Sequence, residues 1–245
     1  DEAQLGDEIS VRGLFYDGLI RRCSHSFPYA KFVFAHPFIT NPDAQIEKNH
    51  LSGQDIQSKT YSYRNIGQMF LLYSSETNKY YHFGIDKSIM GGTRTDCYFD
   101  PVERAIHTNG STLIYMSKAK VVNYDFLKEY DRYIKMCPEI HTEMVDDIIE
   151  ELKQYTGGNT SENGYYYSRF ISLLRRGIVI HHGSMPLRTR TLVEKFVNNK
   201  LCRLCFSTST LEQGINMPFD VVVLDRFEKS KPLAIKNLIG RAGRS

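Results

Sequence analysis

The feature that most constrains the fold is an alternation of buried strands and helices that begins after Gly110. The strands are predicted at Ser111–Met116, Gly177–His182, Leu201–Thr208 and Val221–Asp225, and the helices near 120–135, 140–155 and 165–175, at Pro186–Asn198 and from about Pro232 onward. Such a series folds into a parallel sheet that binds its ligands at the carboxyl ends of the strands. We therefore expect an α/β domain whose functional residues follow its strands.

The first hundred residues have a different pattern. The predicted elements there are a helix over residues 8–23, with Ile9, Leu14 and Leu19 among polar neighbours, a buried strand at Phe32–Ala35, and a hairpin of Gln68–Tyr73 and Lys79–Ile85. From Asn41 to about Ala105 the sequence is polar and rich in turn-forming residues. This stretch is expected to be a connector that carries the hairpin.

The composition is that of a folded, soluble protein, with 41% hydrophobic and 24% charged residues. No run of about 18 apolar residues is present to span a bilayer, and the acidic start does not resemble a signal peptide. The five cysteines are odd in number and scattered, so we expect an intracellular protein of the cytoplasm or nucleus, without a membrane partner. Cys202 and Cys205 lie in a predicted strand, where positions three apart face opposite ways, so no metal or redox role is expected for them.

The net charge of +3 is unevenly distributed. Residues 171–245 carry 13 Lys and Arg against 5 Asp and Glu, whereas the rest of the chain carries 18 against 23. A basic C-terminal part suits a phosphate-rich partner, although solvated surface charge gives the same count.

Two arginines near the end of the chain are the first candidates for chemistry. Arg241 and Arg244 are three residues apart, with only Ala242 and Gly243 between them. On a helix this spacing places both guanidinium groups on one face, where they can stabilise a γ-phosphate that gains charge during transfer. No Gly-Lys dipeptide occurs in the sequence, so the phosphate-binding loop GxxxxGK[ST] is absent.

Two motifs around these arginines carry a family resemblance. Asn237–Arg244 resembles the sixth motif of superfamily 2 helicases, usually QxxGRxGR, with Asn237 in place of the customary Gln. Phe206–Pro218 resembles the fifth motif, and its TxxxxxGxNxP ending is similar to the Ski-like branch. Two motifs in the expected order are much more specific than either motif alone.

The remaining motifs follow in the family's order. Asp1–Gln4 resembles the second motif, Ala35–His36–Pro37 stands where the third belongs but keeps only the Ala, Ser111–Lys118 resembles the fourth, and Gly177–Gly183 with Arg188, Glu194 and Phe196 is similar to the Ski-like segment after it. His181 and His182 face opposite sides of a predicted strand, so one of them is expected to be buried and structural.

The resemblance implies an architecture. Residues 1–42 would be the end of a first RecA-like, ATP-binding lobe, residues 43–105 a linker with the hairpin, and residues 106–245 the second RecA-like lobe. Because the sequence starts at the second motif and lacks the phosphate-binding loop, we expect a piece of a longer protein that is nearly inactive by itself.

The resemblance also implies a set of site residues, an ATP-dependent helicase or translocase activity, and ATP and Mg²⁺ as cofactors. The implied roles are catalysis by Asp1, Glu2, Arg241 and Arg244, water-mediated Mg²⁺ binding by Asp1 and Glu2, ATP binding by Gly214, Asn216 and Asn237, nucleic-acid binding by Ser117, Gly183, Ser184 and Thr208, and coupling by Ala35 and His36. The implied partner is a single-stranded or partly duplex nucleic acid, DNA or RNA.

Two other interpretations remain open at this stage. The chain could be a non-catalytic nucleic-acid-binding module on a decayed helicase scaffold, which the unusual third motif and Asn237 favour. It could instead be a protein-interaction platform whose basic surplus is incidental. Strand binding that falls steeply with salt would separate the last interpretation from the other two.

Overall fold

The computed structural model describes residues 11–34, 41, 43–51, 56–59, 67–82, 95–158, 168–208, 217–225 and 232–243. The chain divides into two compact units, residues 1–65 and 66–245. The domain boundaries proposed from the sequence, at residues 42 and 105, stay predictions. Within the described residues, no helix has both the length and the apolar character needed to cross a membrane.

In residues 1–65 the structure describes two helices, α1 (Val11–Ser26) and α2 (Ala44–Lys48). Helix α1 confirms the predicted helix and continues to Ser26. Ion pairing between Lys48 Nζ and Asp17 Oδ2, 2.9 Å apart, joins α2 to α1. The strand predicted from Phe32 is wrong over residues 32–34, because their backbone is irregular and pairs with no strand among the described residues.

Residues 66–245 begin with a small antiparallel sheet of β1 (Leu71–Ser74), β2 (Lys79–His82) and β3 (Thr95–Cys97). The β1–β2 pair confirms the predicted hairpin, with Ser74 opposite Lys79 across the turn. The third strand was not predicted. It pairs with β2 so that Tyr80 lies opposite Cys97.

The alternation after Gly110 gives the predicted parallel sheet. Its strands are β4 (Thr112–Tyr115), β5 (Ile178–His181), β6 (Leu204–Ser207) and β7 (Val221–Leu224), in the order β5-β6-β4-β7. All the neighbouring pairs are parallel. The consecutive buried positions of β5 and β6 explain the strong strand signal, because a sheet covered on both faces needs apolar residues at successive positions.

Helices cover both faces of this sheet. They are α3 (Pro101–His107), α4 (Lys118–Val122), α5 (Phe126–Glu129), α6 (Asp131–Met136), α7 (Glu143–Thr156), α8 (Arg169–Leu174), α9 (Leu187–Asn198) and α10 (Pro232–Ile239). One core joins Leu113 of β4 to α7, α8, α9 and α10, and a second core joins Ile114 to α3, α4, α5 and α6. Successive residues of β4 therefore serve opposite cores.

Two predicted elements differ from the structure. The helical stretch proposed over 120–135 is divided into α4, α5 and α6. Tyr124, between α4 and α5, adopts a φ of 62° that no helix continues through, and Tyr130, between α5 and α6, has a non-helical φ of −109° and ψ of 17°. Helix α3 lies in what was expected to be connector. Asp100 caps it by accepting bonds from the Val102 and Glu103 amides, and Pro101 occupies its first turn.

Candidate functional site

Three strands of the parallel sheet end at the same level. Tyr115 of β4 and His181 of β5 both lie beside Ser207 of β6. Because the residues that follow these strands lie at one edge, the structure brings together all four residues that the resemblance assigns to a nucleic acid: Ser117, Gly183, Ser184 and Thr208. This carboxyl edge is where parallel sheets bind their ligands.

The exposed backbone at this edge suits an anion. Gly183 and Ser184 lie in an exposed turn that leads into α9. Helix α9 begins after Pro186, and no side chain caps its first amides. Since the first turn of a helix directs N–H groups and a partial positive charge outward, its start is a favourable place for a phosphate oxygen.

Ser117 and Thr208 are anchored more firmly than the exposed turn. Ser117 caps α4 by accepting a bond from the Lys120 amide. Thr208 is buried, and its amide donates to the His181 carbonyl across 3.3 Å. The neighbouring Met116 amide donates to the Ser207 carbonyl, so the ends of β4 and β6 remain bonded to each other beyond the strands.

Lys118 and His182 belong to the same edge, although the sequence interpretation did not select them. Burial lowers the pKa of His182, and the positive charge of Lys118 lowers it further. His182 is therefore neutral at neutral pH, while exposed Lys118 supplies positive charge beside Ser117. Both lie within the motif segments Ser111–Lys118 and Gly177–Gly183, and this was the signal that could have identified them as site residues.

His181 has a structural environment, as expected for one of the two adjacent histidines. Its side chain is fully buried, and its Nε2 lies 3.5 Å from Glu194 Oε1 of α9. Burial lowers the pKa of His181, and the Glu194 carboxylate opposes this change. The neutral ring therefore packs between the sheet and α9.

The β7 end of the carboxyl edge has the opposite charge. Lys120 Nζ lies 2.7 Å from Glu129 Oε2 and 3.0 Å from Asp225 Oδ2. The Tyr130 hydroxyl donates to Asp225 across 3.4 Å. One lysine between two carboxylates leaves a net negative charge, so an anionic strand is favoured over β5, β6 and the start of α4 rather than over β7.

The turn that carries Arg241 lies at the other edge of the sheet. The Phe219 amide donates to the Arg241 carbonyl across 3.2 Å, and the Gly243 amide donates to the Phe219 carbonyl across 2.7 Å. Because Phe219 precedes β7, these bonds attach the turn at the amino end of that strand. The Arg241 side chain is buried, and Asn237 is half-buried on α10.

A family comparison agrees with this arrangement. Residues 141–245 match the helicase conserved C-terminal domain, which contains α7 to α10, β5 to β7 and the arginine turn. This match, together with the helicase relatives described next, supports the resemblance to superfamily 2 helicases.

Individual relatives support the resemblance to the Ski-like branch. It is 35% identical over 83 residues to the Hachiman protein HamB of Bacillus cereus, covering 32% of this chain and 7% of that protein. It is 27% identical over 106 residues to the ATP-dependent DNA helicase Hel308 of Caldivirga maquilingensis, covering 40% and 13%. It is 34% identical over 80 residues to the Superkiller complex protein 2 of Mus musculus, covering 29% and 6%. The matched regions are thus small parts of much longer relatives.

Several residues assigned by resemblance lie outside the part of the chain that the structure describes. They are Asp1, Glu2, Ala35, His36, Gly214, Asn216 and Arg244. Among the residues that are described, no group of three or more His, Cys, Asp or Glu side chains is arranged to hold a metal ion. The implied Mg²⁺ site rests on Asp1 and Glu2, and its geometry stays a prediction.

The Cys202–Cys205 pair requires a correction. The strand that was expected to place these side chains on opposite faces begins at Leu204, so Cys202 precedes it. Burial raises the pKa of the Cys202 thiol, and a hydrogen bond with Cys205 raises it further. Both side chains are buried, and a thiol with a raised pKa such as that of Cys202 has the character of a core residue rather than of a reactive cysteine.

An open cleft of about 580 Å³ separates the small antiparallel sheet from α3 and α6. Tyr80 and Tyr133 line it, and their hydroxyl oxygens are 3.3 Å apart. The Tyr133 hydroxyl donates to Asp100 Oδ2 across 2.6 Å, while Glu103 accepts from Arg132. Burial and the bond to Asp100 raise the pKa of Tyr133, so its hydroxyl remains a donor. These polar groups bind one another and hold the small sheet against the helices.

Proposed function

We propose that the chain is the motor part of an ATP-dependent nucleic-acid helicase or translocase. The observation that carries this proposal is the convergence of Ser117, Gly183, Ser184 and Thr208 on one carboxyl edge, beside the uncapped start of α9. Groups of this kind contact phosphates and sugars rather than base edges, so they would hold a strand without reading its sequence. We infer that the strand is DNA or RNA, single-stranded or partly duplex.

The position of the arginine turn supports a division of labour. The turn joins the amino end of β7, whereas the proposed strand path follows the carboxyl ends of β4, β5 and β6. One rigid sheet would therefore connect a strand-binding edge with an ATP-facing edge. Because the sheet would move as one body, a displacement caused by ATP at one edge would also displace the strand-binding edge.

We assign the chemistry to residues by the helicase resemblance. Glu2 would orient or deprotonate the attacking water, Asp1 would hold Mg²⁺ through water, and Arg241 and Arg244 would stabilise the charge that develops during transfer. Gly214, Asn216 and Asn237 would contact ATP, and Ala35 and His36 would couple hydrolysis to strand movement. Bound ATP and Mg²⁺ would supply the transferring phosphoryl group and the cation that neutralises it. Since both ATP and nucleic-acid strands are intracellular, we infer a cytoplasmic or nuclear site of action.

The test is ATP turnover by the longer protein that the sequence predicts, with and without single-stranded DNA or RNA. We expect one of the two strands to stimulate turnover. Arg244→Ala should lower the stimulated kcat by about 10³-fold or more, the usual contribution of an arginine that faces the transferred phosphate. Glu2→Gln should lower it by about 10²-fold or more, because the carboxylate base is lost.

Glu150→Gln is the matched control. It removes an exposed carboxylate of α7, a helix that supplies none of the proposed site residues, and should leave kcat unchanged. Asn237, which replaces the customary Gln, favours a second candidate function, a binding module without turnover. Strand binding that persists without ATP turnover would establish that second function and reject the motor.

A further inference from the structure

The arginine turn is held from two directions. On one side, the backbone of Phe219 bonds to Arg241 and Gly243. On the other side, the Gln68 side chain donates from Nε2 to the Ile239 carbonyl oxygen at 3.2 Å. The same Nε2 lies 3.5 Å from the Ala242 carbonyl oxygen, a longer contact.

The two contacts from Gln68 Nε2 to the Ile239 and Ala242 carbonyl oxygens are called the Gln68 clamp below. Helix α10 ends at Ile239, whose carbonyl oxygen accepts from the Ala242 amide at 3.1 Å and has a second lone pair for the Gln68 side chain. A glutamine amide carries two N–H donors, so one side chain can serve two carbonyl oxygens at once. The two carbonyls served here, of Ile239 and Ala242, lie on either side of Arg241.

Gln68 is in a suitable place to transmit position. It lies three positions before Leu71, the first residue of β1, and is thereby tied to the small antiparallel sheet. That sheet is itself bonded to α6 through Tyr80 and Tyr133. The clamp therefore fixes the turn relative to two packed elements, rather than relative to the end of α10 alone.

We propose that Gln68 is a positioning residue for the arginine motif. Its side-chain amide holds the turn from Ile239 to Gly243 in one orientation, and this turn carries Arg241 and leads into Arg244. The inference rests on the proposed function and adds a residue to it from outside the motif. Because a displacement of about 1 Å at a reacting group can cost about 10²-fold in rate, a clamp on the backbone that carries the arginines affects turnover.

The experiment compares Gln68→Glu with Gln154→Glu in the longer protein. Gln68→Glu replaces the amide donor with a carboxylate that faces two carbonyl oxygens, whereas Gln154 lies on the exposed face of α7 and receives the same change of charge. For Gln68→Glu we expect kcat to fall by about tenfold or more, with strand affinity and the KM for ATP within about twofold of wild type. Gln154→Glu should match wild type in all three.

Two further measurements distinguish a loss of arginine positioning from a loss of folding stability. Gln68→Lys keeps N–H donors and should lose less kcat than Gln68→Glu does. Gln68 is exposed, so its replacement leaves no cavity and should barely change the thermal midpoint. A fall of kcat that is matched by a fall of the midpoint would overturn the clamp.

A double-mutant cycle with Arg244→Ala completes the test. Once the arginine is removed, Gln68→Glu should have no further effect on kcat, because the clamp acts through the arginine motif. Additive losses would overturn the clamp, as would an unchanged kcat in Gln68→Glu when Arg244→Ala lowers it. If Arg244→Ala leaves kcat unchanged, the proposed function fails first.

Discussion

Gly157 and Gly177 adopt the same left-handed backbone in very different surroundings. Their φ angles are 70° and 69°. A Cβ on Gly157, at the end of α7, would meet no heavy atom within 4 Å, whereas a Cβ on Gly177 would lie 2.8 Å from the Leu201 carbonyl oxygen. A substitution at Gly157 therefore reports only the cost of the left-handed backbone, whereas one at Gly177 reports that cost plus the cost of a steric clash.

We predict that Gly177→Ala destabilises the chain more than Gly157→Ala. Both variants force alanine into a conformation that costs about 1–2 kcal/mol, partly offset by a stiffer unfolded chain. Gly177→Ala adds a clash with backbone, which should cost at least about 1 kcal/mol more. Equilibrium unfolding in urea measures both variants, and equal losses of the free energy of unfolding would contradict the prediction.

At this scale the sequence predicts residue types better than residue contacts. Ser117, Gly183, Ser184 and Thr208 could be selected because they follow strands in motif order. The contact between Cys202 and Cys205 could not, because it depends on the strand beginning at Leu204 rather than at Leu201. Gln68 was also missed, since its partner carbonyls are more than 170 residues away.

Among the elements, α3 depends on one capping side chain, Asp100, which accepts three hydrogen bonds. Asp100 Oδ1 accepts from the Val102 amide at 2.9 Å and from the Glu103 amide at 3.1 Å. Its other carboxylate oxygen accepts from the Tyr133 hydroxyl at 2.6 Å. Asp100 thus stabilises the start of α3 and joins it to α6.

We predict that Asp100→Ala lowers the free energy of unfolding by about 2 kcal/mol, the sum of a lost cap and a lost charge-assisted bond. Asp100→Asn keeps an oxygen that can cap and should lose less. Asp125→Ala is the control, because Asp125 occupies the corresponding position of α5 without a side-chain capping bond, so its loss should be under about 0.5 kcal/mol. Urea unfolding measures all three variants. If Asp100→Ala and Asp125→Ala lose similar free energies of unfolding, the capping bonds do not explain the effect of Asp100.

The elements of the parallel sheet were predictable because burial on both faces leaves long apolar runs at β5 and β6. Helix α7 was predictable for the related reason that Val145, Ile148, Ile149 and Leu152 recur at helical spacing and are all buried. The division of 120–135 into three helices was not, because neither the positive φ of Tyr124 nor the non-helical backbone of Tyr130 has a sequence signal of the kind that glycine gives.

Over the whole molecule, the two units differ in how well their apolar residues predict burial. Leu14 and Leu19, on which the first helix was predicted, are 71% and 54% exposed, whereas Ile20 is buried. In residues 66–245 the predicted apolar positions form the two cores on either side of the sheet. Helical spacing predicts a helix in both units, but which face is buried depends on the elements that pack against it.

The distribution of charge gives the last prediction. Lys118 is exposed beside Ser117 at the carboxyl edge, where the proposed strand path lies. Lys195 is equally a surface lysine, but it stands in the last turn of α9, which runs from the carboxyl edge toward the amino edge. The two lysines carry the same charge at opposite ends of the domain.

Lys118→Ala should therefore weaken strand binding to a similar extent for different sequences and reduce the slope of log affinity against log salt by about 1, because one fewer counterion is released. Lys195→Ala should leave both quantities near wild type, although it changes the net charge by the same amount. Fluorescence anisotropy with short labelled strands of two sequences, at several salt concentrations, measures both. If both variants have the same slope of log affinity against log salt, the positive charges attract the strand only at long range, without a specific contact at Lys118. The proposed strand path along β4, β5 and β6 would then be rejected.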